Sequence, residues 1–189
     1  MTPLTPAQIA CLLVVTIAAI TDLRSAKIRN WLTFPAAALG VALQWFQSGP
    51  AGAISAVEGC ALGLGIGLAL STPFAKLLGW SFGGGDVKLM AAIGSLIGPL
   101  ALVIALLYFS VLYLIFVCFF FGSALPWRGL SHAVPHFLRT RDISLLVGLD
   151  WGRLTVARKS KLLWGPFLAA GAALAIFFEQ PAIIFLGLK

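Results

Sequence analysis

Five long apolar runs, separated by short charged stretches, organise this chain. They are Pro6 to Asp22, Trp31 to Gln47, Ala51 to Thr72, Val87 to Phe121 and Leu162 to Leu186. A membrane-crossing helix needs about 20 mostly apolar residues, and four of the runs have about that length. Thr5-Pro6 reads as a helix cap followed by a proline at the first helical position. Gly59, Gly63 and Gly67 recur every four residues in the third run, a small-residue face suited to close helix packing. The run from Val87 to Phe121 is too long for one crossing, about 52 Å as a helix at 1.5 Å per residue. Gly98-Pro99 lies near its middle and is a natural breaker.

Charge decides whether that run divides. If it splits at Gly98-Pro99, the chain has six spans. Stretches 23–30, 73–86 and 122–161, with Lys88 at the edge of the fourth span, then share one side. They carry every Lys and Arg except Lys189. Basic loops stay cytoplasmic, so both termini are expected outside. An unbroken helix would put the basic 122–161 segment outside, against that rule. The expected fold is therefore an all-α membrane protein, a polytopic bundle of about six transmembrane helices. It forms one domain over residues 1–189 with a cytoplasmic basic loop at 122–161. The fourth segment is short, and irregular backbone at membrane depth is tolerated only inside protein. It is expected to be buried among the other helices.

Composition agrees. Hydrophobic residues make up 60% of the 189 and charged residues 10%, against about 25% charged in soluble domains. The formal net charge is +7, but the bases sit between apolar runs and mark topology, not a nucleic-acid stripe. The 122–161 segment mixes Trp127 and Trp151 with Arg128, Arg139, Arg141, Arg153, Arg158, Lys159 and Lys161, which suits an anionic membrane surface. Residues 1–8 contain no Lys or Arg, so the first run is expected to stay as an anchor. Cys11, Cys60 and Cys118 have no metal or redox spacing and read as small buried hydrophobes. His132 and His136 are four apart, but Pro135 intervenes and no H-E-x-x-H pattern is present. No metal or other cofactor is expected.

Only six acids remain to consider. Asp22 ends the first run and Asp86 begins the fourth, so the topology puts both at the cytoplasmic membrane surface. Two neighbouring carboxylates can share a proton, one acting as base on water and the other as acid on a carbonyl oxygen. Interfacial caps are the simpler reading of each alone. Asp86 follows Gly83, Gly84 and Gly85, where backbone can approach a substrate strand closely. Asp86 should cap the next helix, whose dipole favours a negative charge there. Asp22 lies at a helix C-terminus, which makes Asp86 the expected base and Asp22 the expected acid. Arg24, Lys27 and Lys88 act in the opposite sense. Glu58 lies inside the third run, where a hydrogen-bonded helix contact is the simpler reading and a functional acid the alternative. Asp142 and Asp150, among arginines, read as surface ion pairs.

Gly83-Gly84-Gly85-Asp86 followed by Lys88-Leu89 resembles the GxGDxKL motif of type IV prepilin peptidases. Asp22 followed by Ile28-Arg29-Asn30 resembles the segment bearing that family's first aspartate, a D followed six residues later by I-P-N. Trp164-Gly165-Pro166-Phe167-Leu168-Ala169-Ala170-Gly171 looks like its closing Y/F-G-P-x-x-A-x-G helix. The resemblance covers nearly the whole chain in order. Arg29 departs from it, standing where the family has proline. The resemblance implies an aspartic endopeptidase with Asp22 and Asp86 catalytic. Gly83, Gly84, Gly85, Lys88 and Asn30 would bind substrate or support the site. It also implies a prepilin substrate with a basic leader and a hydrophobic helix, cut at the cytoplasmic face of the bacterial inner membrane, typically after a glycine. The chain has no paired C-x-x-C motifs and is similar to the short, peptidase-only members that serve tight-adherence pili. Two other classes compete: an ion-coupled transporter relaying through Asp22, Glu58 and Asp86, and a non-catalytic subunit of a pilus or secretion assembly.

Overall fold

The computed structural model describes residues 3–25, 28–71, 83–124, 132, 135, 139 and 164–185. Among them every regular element is helical: α1 (Pro6–Ser25), α2 (Asn30–Leu70), α3 (Gly84–Ala124) and α4 (Gly165–Phe185). Residues Met1–Leu112 with Leu163–Lys189 form one compact unit, and Tyr113–Leu162 a second.

A reciprocal capping box starts α1. The Thr5 N–H donates to Gln8 Oε1 at 2.9 Å, and the Gln8 N–H donates to Thr5 Oγ1 at 3.3 Å, so two otherwise orphaned donors are satisfied. The buried face of α1 is Ala7, Cys11, Val14, Val15, Ala18 and Asp22. Steps of three and four define one stripe of a 3.6-residue helix, and its last position is an acid. The helix packs against α4 and α2.

Held straight, the 41 residues of α2 would reach about 61 Å. Instead Gly49 takes φ 63°, ψ −149° just before Pro50, and the helix folds back there. The contacts with α3 show it. In the first half of α2, Gly40 lies against Ser95, and Gln44 Nε2 donates to the Leu96 carbonyl at 2.9 Å. In the second half the order reverses: Gly59 lies against Gly94, Gly63 against Met90 and Gly67 against Val87. The expected glycine face is thus the seam with α3. A Cβ on Gly59 would fall on the Gly94 carbonyl, and one on Gly94 would fall on the Gly59 carbonyl, so backbone meets backbone.

The α3 helix breaks at Gly98 (φ 81°, ψ 173°), at the dipeptide expected to divide it. Its first half is buried on all sides, with Val87, Leu89, Met90, Ala91, Ala92, Ile93 and Leu96 all inside. A helix apolar all round belongs at the centre of a bundle. Beyond the break, Ala105 and Phe109 meet Gly171 of α4, and the Phe109 and Trp164 rings lie 5.9 Å apart.

Three helical stretches, Pro6–Ser25, Asn30–Leu70 and Gly84–Phe120, are long and apolar enough to cross a membrane. Large apolar side chains also cover the outside; Phe46, for one, is 84% exposed. So extensive an apolar exterior suits lipid. In the second unit the Phe116 and Phe120 rings stack at 5.7 Å. Cys118, expected inside, is exposed there, whereas Cys11 is buried. Lipid solvates a small apolar thiol well, so apolarity alone does not put it in the core. Most of the basic 122–161 segment lies outside the described residues, as do Lys27, His136, Asp142 and Asp150.

Candidate active site

Asp22 enters the site as the last member of the buried α1 stripe and is only 6% exposed. Its Oδ2 accepts a hydrogen bond from the Gly165 N–H at 3.0 Å. Gly165 is the first residue of α4, so this N–H is one of the four that the helix itself leaves unpaired. Pro166 follows and has no N–H to offer. A side chain on Gly165 would collide with Asp22, since its Cβ would lie 2.7 Å from Oδ2 and 2.9 Å from the Asp22 Cβ. Close approach of the α4 backbone to this carboxylate therefore requires glycine.

Asp86 sits in the first turn of α3 and is 8% exposed. Its Oδ2 accepts from the Gly83 N–H at 3.0 Å, while its own N–H donates to the Gly83 carbonyl at 3.0 Å. This is the acidic half of a capping box. Asp86 was expected to cap this helix, and it does so by reaching back from its third position. The three glycines before it differ in role. Gly85 packs against Ile28, whose Cβ would be 3.0 Å from an added methyl, whereas nothing lies within 4 Å of one on Gly84.

The Gly85–Ile28 contact brings the α3 start against the segment that follows Asp22. The Asp22 carboxylate lies within electrostatic reach of Asp86. Both carry a backbone N–H donor at the start of a helix. The division of roles drawn from the ends of α1 and α3 omitted α4, whose positive N-terminal end faces Asp22. A helix N-terminus faces each carboxylate, so helix ends do not divide Asp22 and Asp86 into acid and base.

Lys88 lies two residues beyond Asp86. Its Nζ donates to Asn30 Oδ1 at 2.8 Å and stands 5.3 Å from the centre of the Phe34 ring. Two residues named from the sequence, Lys88 and Asn30, are thus bonded across 58 positions. Arg29 is the N-cap of α2 with φ −85°, ψ 139° and no side-chain cap.

Glu58 stands apart. It is exposed, not a helix contact, and among the described residues it makes no hydrogen bond. It edges an open groove of about 310 Å³ with Trp45, Pro50, Ala53, Ile54 and Val57. The groove flanks the Gly49 kink, and about 14 Å of helix rise separates Glu58 from Gly67, which packs against Val87, the residue after Asp86. Among the described residues no three His, Cys, Asp or Glu side chains converge as metal ligands. Sequence reasoning missed Gly165 as a site residue, although the Trp164-Gly165-Pro166 string had marked the helix start. It missed Phe34 altogether.

No curated protein and no solved structure matches the chain at a significant level. Residues 9–118, which hold both aspartates, match the type IV leader peptidase family.

Proposed function

The chain belongs to the type IV leader peptidase family, and from that premise we propose that Asp22 and Asp86 form the catalytic dyad of an aspartic endopeptidase acting on prepilin leaders. One observation carries the reading. Two buried carboxylates, 64 positions apart in sequence (86 − 22), each accept a backbone N–H at a helix start, from Gly165 and Gly83, and the Gly85–Ile28 contact draws their two segments together.

The chemistry follows from sharing one proton. The ionised carboxylate takes a proton from a water molecule, whose oxygen attacks the scissile carbonyl carbon. The protonated carboxyl gives its proton to the carbonyl oxygen, forming a gem-diol. Collapse of the gem-diol breaks the C–N bond, a proton passes to the leaving amine, and the dyad regains its starting state. Fixed N–H donors at both aspartates keep this geometry ready before substrate arrives. No covalent intermediate and no metal enters the sequence of steps.

Depth supports the substrate. The C-terminal end of α1 and the N-terminal ends of α3 and α4 meet at the dyad, which puts it at one end of the bundle. Arg24, Arg29 and Lys88 lie at that end, and bases favour the cytoplasm. A six-span topology, with α2 and α3 each crossing twice around Gly49 and Gly98, agrees with this placement. A prepilin of the type IV or Flp kind is anchored by its own helix, so its scissile bond meets the membrane surface at this depth in the bacterial inner membrane. Open space at Gly84 suits a backbone strand. Glu58 flanks a groove at the Gly49 kink, which leaves a trans-bilayer acid relay without its middle member. Incubating the detergent-solubilised protein with a prepilin is the test. A product shortened by the leader is expected; an intact prepilin under conditions that keep the enzyme folded would favour the assembly-subunit reading.

A further inference from the structure

The Lys88 ammonium is held by two neutral groups. Asn30 Oδ1 accepts from Nζ at 2.8 Å, a charge-assisted bond of the stronger class. The Phe34 ring lies 5.3 Å away, within the range at which an aromatic face attracts a cation. Asn30 and Phe34 are four apart on the first turns of α2, so they share a face. Lys88 is two residues past Asp86, and side chains so spaced do not face each other on a helix. Lys88 therefore reaches away from Asp86 and across to α2. Among the described residues it forms no ion pair.

This arrangement brackets the dyad. Gly85, just before Asp86, packs against Ile28. Lys88, just after it, bonds Asn30. Both partners belong to the short stretch that follows Asp22. We propose that Asn30 and Phe34 are positioning residues that latch Lys88 across the α2–α3 seam, and that this latch sets the separation of the two aspartates. The proposal rests on the dyad reading above. It assigns Lys88 to geometry, not to substrate contact, and it makes Phe34 part of the site's framework. Neutral partners suit this work, because an ion pair between Lys88 and either aspartate would hold that carboxylate ionised and impede proton sharing.

The test joins kinetics to a distance. Lys88→Met, Asn30→Ala and Phe34→Leu should lower kcat, by up to about 100-fold for a displacement near 1 Å, with KM within about twofold. Phe34→Tyr keeps a ring face and should restore the rate. The Lys88→Met/Asn30→Ala double variant should be no slower than Lys88→Met alone, since both remove one interaction. A rise in KM with unchanged kcat, or additive losses, would overturn the latch. A second readout ignores catalysis: spin labels at positions 25 and 84 in a cysteine-free background, position 84 having nothing within 4 Å of an added Cβ, with cleavage measured on the unlabelled proteins. Their distance distribution should be narrow in the parent and in Phe34→Tyr, and broad in Lys88→Met and Asn30→Ala. An unchanged distribution in Lys88→Met overturns the proposal whatever the cleavage result. A distribution that broadens as expected, in a parent that cleaves nothing, upholds the latch and sinks the dyad reading instead.

Discussion

Gly165→Ala puts one methyl group where the structure leaves no room for it. The added Cβ would stand 2.7 Å from Asp22 Oδ2 and 3.1 Å from its Cγ. Ordinary contact begins near 3.4 Å, so the carboxylate must retreat by about 0.7 Å or the α4 start must lift away. Either movement breaks the 3.0 Å bond from the Gly165 N–H. A hydrogen bond to a charged group is worth about 1.5–3 kcal/mol. At 1.36 kcal/mol per tenfold in rate, its loss lowers kcat by about 10- to 150-fold. Overpacking also costs about 1–3 kcal/mol of stability, so the rate must be read per folded enzyme. The assay is the initial rate of leader release, with the amount of folded protein in the membrane measured beside it. A folded Gly165→Ala enzyme working at the parent rate would show that this N–H does not support Asp22.

Arg29→Pro should leave cleavage within a few-fold of the parent. The φ of −85° at Arg29 is within about 20° of proline's, and among the described residues its N–H makes no hydrogen bond. Arg29→Glu should lower the initial rate and disturb insertion, by adding a negative charge beside the dyad and weakening the positive-inside signal; an undisturbed Glu variant would count against the assigned orientation. Gly94→Ala should lower the unfolding temperature in detergent by the equivalent of about 1–3 kcal/mol, the usual cost of overpacking, since the new methyl meets the Gly59 backbone. An unchanged temperature would mean that the α2–α3 seam is looser than described. A single cysteine at position 49 in a cysteine-free background should react with impermeant reagents from outside, and one at position 25 only with reagents that enter the cytoplasm. The reverse pattern would invert the bundle.

Much of the framework was legible because membrane helices announce themselves. The glycine repeat in α2 and the break at Gly98 followed from local chemistry, and both stand in the structure. Asp22 could be placed because it ends the first apolar run beside basic residues, and in the structure it closes the buried stripe through Ala7, Cys11, Val14 and Ala18. Long-range pairing was less accessible. Gly165 meets Asp22 across 143 positions, and nothing in the local sequence says which carboxylate a helix N-terminus will face. Phe34 carries no local signal; its contact is with a lysine 54 positions later (88 − 34). Cys118 and Glu58 were misplaced for a related reason. In water, burial and apolarity rise together, but in lipid the exterior is apolar too. Hydrophobicity therefore ceased to distinguish core from surface, and only packing, through glycines and small residues, separated them.

Single-turnover cleavage of a prepilin by the parent, Asp22→Asn and Asp86→Asn, read by the mass of both products, bears most directly on the dyad. An amide keeps the size of the carboxyl and still accepts from the Gly165 or Gly83 N–H, but it cannot cycle a proton. The parent should release the leader and the shortened pilin in equal amounts, and each Asn variant, folded and membrane-inserted, should release neither. Processing at the parent rate by either variant would remove that aspartate from the chemistry and with it the paired-carboxylate mechanism.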